Sequence, residues 1–202
     1  HRGRRNVMLG HQVGSAFTQD ASVTNNVFIG RCVAISQQAN VTNSIAIGSG
    51  AAKNGTSNSS IIMGPSAGIG VLGQSHSQNI FLGTNAGTSI STGNSNIALG
   101  NGAGRCLCQG DLNIYLGQNA GKCNFRGECN IALGNHALYG ANSGQMVAGR
   151  ANANIALGVN AGYSLSTGDQ NFLAGTGAGT YLVAGSYNVA IGNNALLCAT
   201  TG

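Results

Sequence analysis

Six cysteines, four acidic residues and four histidines are the side chains of this 202-residue chain with most chemistry to offer. The cysteines stand at positions 32, 106, 108, 123, 129 and 198. Cys106 and Cys123 are 17 residues apart, as are Asp111 and Glu128. If 17 residues make one structural turn, each pair stacks on neighbouring turns. Two stacked cysteines then have Cα atoms about 5 Å apart, inside the disulfide range. Cys108 and Cys129 fall on the same two turns and are the candidates for a second bridge. An oxidising, extracellular setting makes such bridges natural. Free thiols are an alternative. Zinc is another, since Cys106, Cys108, Cys123 and Cys129 are four thiols, but their spacing lacks paired Cys-x-x-Cys knuckles.

Asp111 and Glu128 each follow a glycine, as does Asp169. Stacked carboxylates about 5 Å apart have the separation a retaining glycosidase uses. With carbonyls they would also hold Ca²⁺, so this pair is a candidate cation site. Gly-Asp and Gly-Glu are equally ordinary turn chemistry, and that bland reading takes precedence. The histidines share no ligand spacing, and no Ser/His/Asp order or phosphate loop is present. These residues predict no catalytic centre, no metal and no cofactor.

The elements that must position these residues follow from one repeat. A pentad, Asn-apolar-x-apolar-Gly, ends at Gly10, Gly30, Gly48, Gly64, Gly83, Gly100, Gly117, Gly134, Gly158, Gly175 and Gly192, with a weaker copy ending at Gly149. The steps are irregular up to residue 79 and mostly 17 from 79 to 202. A unit this short suits one coil of a β-solenoid, with two strands and two turns per rung. The chain therefore reads as one all-β domain over 1–202, a parallel β-solenoid of about 11 or 12 rungs. Stacked asparagines opening the pentads would form an amide ladder.

Composition excludes the competing classes. Glycine supplies 34 residues, and only 6% are charged, so a helical bundle is disfavoured. With 42% hydrophobic residues the chain is not a charge-driven disordered segment. No apolar run reaches the ~20 residues of a membrane helix. The net charge of +5 concentrates at Arg2, Arg4 and Arg5, a basic tip rather than a nucleic-acid face. The chain opens on His1 and shows no signal peptide, which reads as a mature product or an excised fragment.

Side chains alternate across a strand. Placing the consistently aliphatic positions two and four inside the coil puts position three outside. That position holds Phe28, Ala46, Phe81, Ala98, Tyr115, Ala132, Ala156, Leu173 and Ala190 among others. An apolar stripe along a whole rod needs cover, so these residues are the expected trimer interface. The period does not separate two chains from three; closed cyclic symmetry fits either.

The pentads Ser44-Ile45-Ala46-Ile47-Gly48 and Asn188-Val189-Ala190-Ile191-Gly192 resemble the head repeats of trimeric autotransporter adhesins. The longer unit from Asn154 to Asp169 resembles repeats of phage and viral tail-fibre proteins. The resemblance implies a homotrimer of left-handed β-rolls on a bacterial cell or virion surface, contacting a host cell or matrix. The 17-residue unit departs from the shorter adhesin-head repeat, as do the cysteines.

The expected function is a non-enzymatic extracellular attachment fibre or adhesin head. Its partners would be other copies of itself and a host-cell receptor or glycan, with no nucleic acid and no membrane insertion. Contacts would come from the irregular stretches 11–25, 51–59, 65–78 and 135–153. The alternative is a filament subunit assembling head to tail. The hexad Leu99 to Gly104 fits hexapeptide acyltransferases, but the following residues do not. Three sequons begin at Asn40, Asn54 and Asn58.

Overall fold

The computed structural model describes residues 4–15, 17, 22–34, 40–140 and 150–201. Each pentad forms a three-residue strand, because its apolar and β-branched residues favour extended backbone and its glycine ends it. In chain order the strands are β1 (Val7–Leu9), β2 (Val23–Thr24), β3 (Val27–Ile29), β4 (Val41–Thr42), β5 (Ile45–Ile47), β6 (Thr56–Asn58), β7 (Ile61–Met63) and β8 (Ser75–Ser77). They continue as β9 (Ile80–Leu82), β10 (Ile97–Leu99), β11 (Ile114–Leu116), β12 (Ile131–Leu133), β13 (Ile155–Leu157), β14 (Phe172–Ala174) and β15 (Val189–Ile191).

Eleven of these strands stack in one parallel sheet, in the order β1-β3-β5-β7-β9-β10-β11-β12-β13-β14-β15. The result is a β-solenoid of about ten turns. Register is pentad on pentad throughout; Ala98, for example, sits between Phe81 and Tyr115. Among the described residues the second strand per rung is present as the short pairs β2-β4 and β6-β8, with isolated bridges at Arg4–Thr24 and Gly70–Ile90. Beyond β9 the rest of each coil runs through turns whose amides still bond to adjacent coils. β12 pairs directly with β13, in register Ala132 to Ala156, a step of 24 residues. The weaker pentad ending at Gly149 falls outside the described residues.

The strand faces are the reverse of the sequence expectation. Phe28, Ala46, Phe81, Ala98, Tyr115, Ala132, Ala156, Leu173 and Ala190 are buried inside the single coil. They are core, and their assignment to an interface between chains is corrected. Positions one and three share a face, so the pentad asparagines point inward as well: Asn79, Asn96, Asn113, Asn130 and Asn154 are fully buried. A buried amide is tolerated when every bond is made. Asn96 Nδ2 donates to Asn79 Oδ1 (3.2 Å) and across the coil to the Gly110 carbonyl (2.8 Å).

The narrow interior is completed by a column of corner alanines, including Ala86, Ala103, Ala120 and Ala137, and by Ile90, Leu107, Leu165 and Leu182. Bulk is traded locally. A Cβ on Gly87 would meet the Phe81 ring at 2.5 Å, and one on Gly121 would meet the Tyr115 ring at 2.5 Å. Where position three shrinks to Ala132, the matching corner carries buried Leu138 instead. Interiors packed this closely feel a single methylene.

The glycine ending each pentad has two causes. Gly100 has φ of 131°, a region that disfavours side chains, and a Cβ there would lie 2.7 Å from the Gly117 carbonyl oxygen.

Candidate functional site

Positions two and four, freed from the interior, form the outer surface of the eleven-stranded sheet. One column runs from Val7 through Ile97 and Ile114 to Val189, the other from Leu9 through Leu99 and Leu116 to Ile191. Every residue in both columns is apolar. Neighbours above and below half-cover each side chain, and exposure peaks on the terminal strands, with Val189 at 72% and Ile191 at 69%. Strands about 4.8 Å apart make this face roughly 50 Å long and about 10 Å wide. Its flanks carry no charge in the regular half: Thr84, Asn101, Gln118 and Asn135 stand on one side, and a mixed row of Ser95, Leu112, Cys129, Ala153, Gln170 and Tyr187 on the other. A long apolar strip with no charge along its edges fits the depletion of charged residues at the core of a docking surface. It sits at the upper end of what a monomer exposes, about 300–600 Å².

The cysteines divide. Cys106 and Cys123 occupy one column, as their spacing predicts: the Cys106 amide donates to the Lys122 carbonyl (2.9 Å) and the Cys123 amide to the Tyr139 carbonyl (2.8 Å). Their thiols are hydrogen-bonded. Cys108 and Cys129 do not meet in this way. The Cys108 carbonyl accepts from Ser91 and Thr92, whereas the Cys129 amide donates to the Asp111 carbonyl in a different column. All six cysteines are free thiols, so neither expected bridge is present. Cys32 is half-buried and Cys198 exposed.

Asp111 and Glu128 do stand on adjacent turns, but their column carries a second hydrogen-bond ladder. Asp111 Oδ1 accepts the Asn94 amide (2.6 Å), Asn152 Oδ1 accepts the Glu128 amide (2.9 Å), and Asp169 Oδ1 accepts the Asn152 amide (2.7 Å). In each case the side chain on one coil binds the backbone of the coil before it. That is the turn role for Asp111 and Asp169, whereas Glu128 enters the ladder through its backbone amide alone. Among the described residues no cluster of three or more His, Cys, Asp or Glu side chains is disposed to hold a metal. Two sequon asparagines are similarly engaged: Asn40 Oδ1 accepts the Ser22 amide and Asn58 Oδ1 the Thr42 amide.

Two groupings were not visible in the sequence. His76 is buried between Ser57 Oγ (3.1 Å from Nε2) and Asn79 Nδ2 (3.3 Å from Nδ1). Because the Asn79 amide donates to Nδ1, the ring proton sits on Nε2 and faces Ser57. Burial lowers the His76 pKa from 6.5 to about 4. A sealed, neutral imidazole without an orienting carboxylate is a core element, not the base of a nucleophile. The second grouping is a corner where the Tyr139 and Tyr163 rings stack at 4.8 Å. Lys122 Nζ donates to the Tyr139 hydroxyl (2.9 Å), and the His136 ring tilts against Tyr139 (5.3 Å). Stacked side chains one turn apart are the signal for such a corner, but the 24-residue separation of Tyr139 and Tyr163 departs from the 17-residue step and hides it.

Comparison of the chain with family models, curated proteins and solved structures returns no match. Among the described residues, no helix is long and apolar enough to cross a membrane.

Proposed function

We propose that the chain is a non-enzymatic extracellular attachment module, an adhesin-head or fibre segment that works as a homotrimer. The observation that carries this reading is the two-column apolar face. Its length matches the whole solenoid, and water is a poor neighbour for it. Copies of the same rod, related by an axis parallel to their own, bury it along its full length. Two or three chains would each cover the face, and three is the number the resemblance to adhesin-head repeats implies.

Binding then falls to surfaces away from the axis. The irregular stretch 65–78 presents Val71 and Leu72 to solvent, at 43% and 55% exposure. Loops standing off a rigid repeat are where recognition of a host-cell receptor or glycan would reside. The resemblance to adhesin and tail-fibre repeats supports the same assignment and an extracellular location on a bacterial or virion surface.

The test is sedimentation equilibrium on the purified chain, followed by binding to arrays of glycans and matrix proteins. A species near three times the 20.1 kDa chain mass is expected. A stable monomer overturns the reading. Long filaments under the electron microscope would favour the head-to-tail subunit instead.

A further inference from the structure

The half-buried Cys106 and Cys123 lie on the turn side of the solenoid, off the apolar sheet face. Adjacent coils place their backbones about 4.8 Å apart, within the separation a disulfide spans. Each follows a cation in the chain, Arg105 and Lys122, and both cations act on both thiols. The third thiol nearby, Cys108, is turned away and donates to the Ser89 carbonyl at 3.0 Å.

We propose that Cys106 and Cys123 form a dithiol exchange site for low-molecular-weight disulfides, with Cys106 attacking and Cys123 resolving. The hydrogen bond from Cys123 draws the Cys106 pKa down to about 6, with Arg105 and Lys122 assisting against the opposing effect of burial. Cys123, donating that bond, is pushed up. Burial and the Cys106 charge raise Cys108 to about 11, which keeps it a thiol. The three sulfurs therefore have different roles despite their proximity.

The Cys106 thiolate attacks one sulfur of the disulfide RS–SR. The S–S bond breaks, RS⁻ leaves, and a Cys106–S–SR mixed disulfide forms. That step removes the charge that held the Cys123 proton. Cys123 then loses its proton to RS⁻ and attacks Cys106 Sγ, expelling the second RS⁻, which takes a proton from solvent. The net change is two protein thiols oxidised to one bridge and RS–SR reduced to two RSH. The bridge staples two consecutive coils.

The test uses the reduced 202-residue chain and peptide mapping after a timed iodoacetamide pulse. At pH 6 an ordinary thiol is only about 0.3% ionised, and Cys106, drawn below that range by its partner thiol and two cations, is ionised to a larger degree. Labelling of Cys106 severalfold faster than a model thiol is expected. Oxidised glutathione should close the Cys106–Cys123 bridge. Cys123→Ser should stop at a glutathione adduct on Cys106, and Cys106→Ser should give neither bridge nor rapid adduct. Labelling of wild-type Cys106 no faster than the model thiol overturns the proposal whether or not the variants fold. So does a glutathione-driven bridge between any other pair of cysteines.

Discussion

Asn113 is tied to Asn96 twice through a single atom: its backbone amide and its Nδ2 both donate to Asn96 Oδ1 at 3.0 Å. Asn113 Oδ1 receives the same two bonds from Asn130, and its Nδ2 also reaches the Gly127 carbonyl. Removing this side chain strands donors and an acceptor in a dry interior, each costing about 1–3 kcal/mol. Asn113→Ala should destabilise by at least about 3 kcal/mol in urea unfolding. Asn101→Ala, on the exposed rim, should stay within about 0.5 kcal/mol. Equal effects would show that the ladder is not what holds the coils in register.

The pentad glycines allow conformational strain to be separated from steric contact. Gly100 and Gly192 have similar φ, 131° and 122°, but a Cβ on Gly100 meets the Gly117 carbonyl at 2.7 Å, whereas one on Gly192 meets nothing within 4 Å. Gly192→Ala should cost the backbone strain alone, about 1–3 kcal/mol. Gly100→Ala should cost clearly more, because it also pushes two coils apart. Thermal midpoints of the two variants measure the difference, and matching midpoints would remove the steric account.

The pentad and its 17-residue step announce the solenoid because each coil must repeat the same turn chemistry to stack. The same step pairs Cys106 with Cys123 and Asp111 with Glu128 before any coordinates are known. Which strand face points inward is hidden. Hydrophobicity argues for Ile97 and Leu99, and the coil chooses Asn96 and Ala98. The reversal is physical: an amide that bonds above, below and across can be buried, and a single column of mixed size, from Ala98 to Tyr115, fits beside it where two aliphatic columns do not. Cys108 and Cys129 fail to pair because sharing a turn is not sharing a column. The His76 contact with Ser57 lies in the irregular half, where steps change between coils and no spacing points to it.

Acid should weaken the N-terminal half through His76. Its ring nitrogens face Ser57 and Asn79, both neutral, and its pKa falls from 6.5 to about 4 on burial. Between those values the unfolded chain binds the proton and the folded chain does not. The stabilising contribution is therefore complete above about pH 6.5 and is lost as pH falls toward 4, by up to about 3 kcal/mol. Cys106 titrates near the top of this window, so the lower part reports His76. Urea midpoints at pH 7.5, 5.5 and 4 should fall in wild type, and the fall between pH 5.5 and 4 should flatten in His76→Gln. An unchanged slope in the variant would assign the acid sensitivity elsewhere.

The two faces of one strand should respond oppositely to charge. Ile114 and Leu116 point outward from β11, while Ala132, one strand on, is enclosed in the coil. Lysines replacing Ile114 and Leu116 together keep their ammonium groups in solvent, so circular dichroism should report an intact fold. Six added charges would crowd the axis of a trimer, so the same variant should sediment as a monomer. Ala132→Lys instead forces an unpaired ammonium and its stem into a space that fits a methyl group, and the chain should fail to fold, at a cost above about 4 kcal/mol. The comparison isolates the face that assembles. If Ala132→Lys stayed folded and dissociated while the double lysine variant remained assembled, the inner column would be the interface and the outward one mere surface. If the double variant were monomeric and folded, the aliphatic columns would be established as what joins the chains.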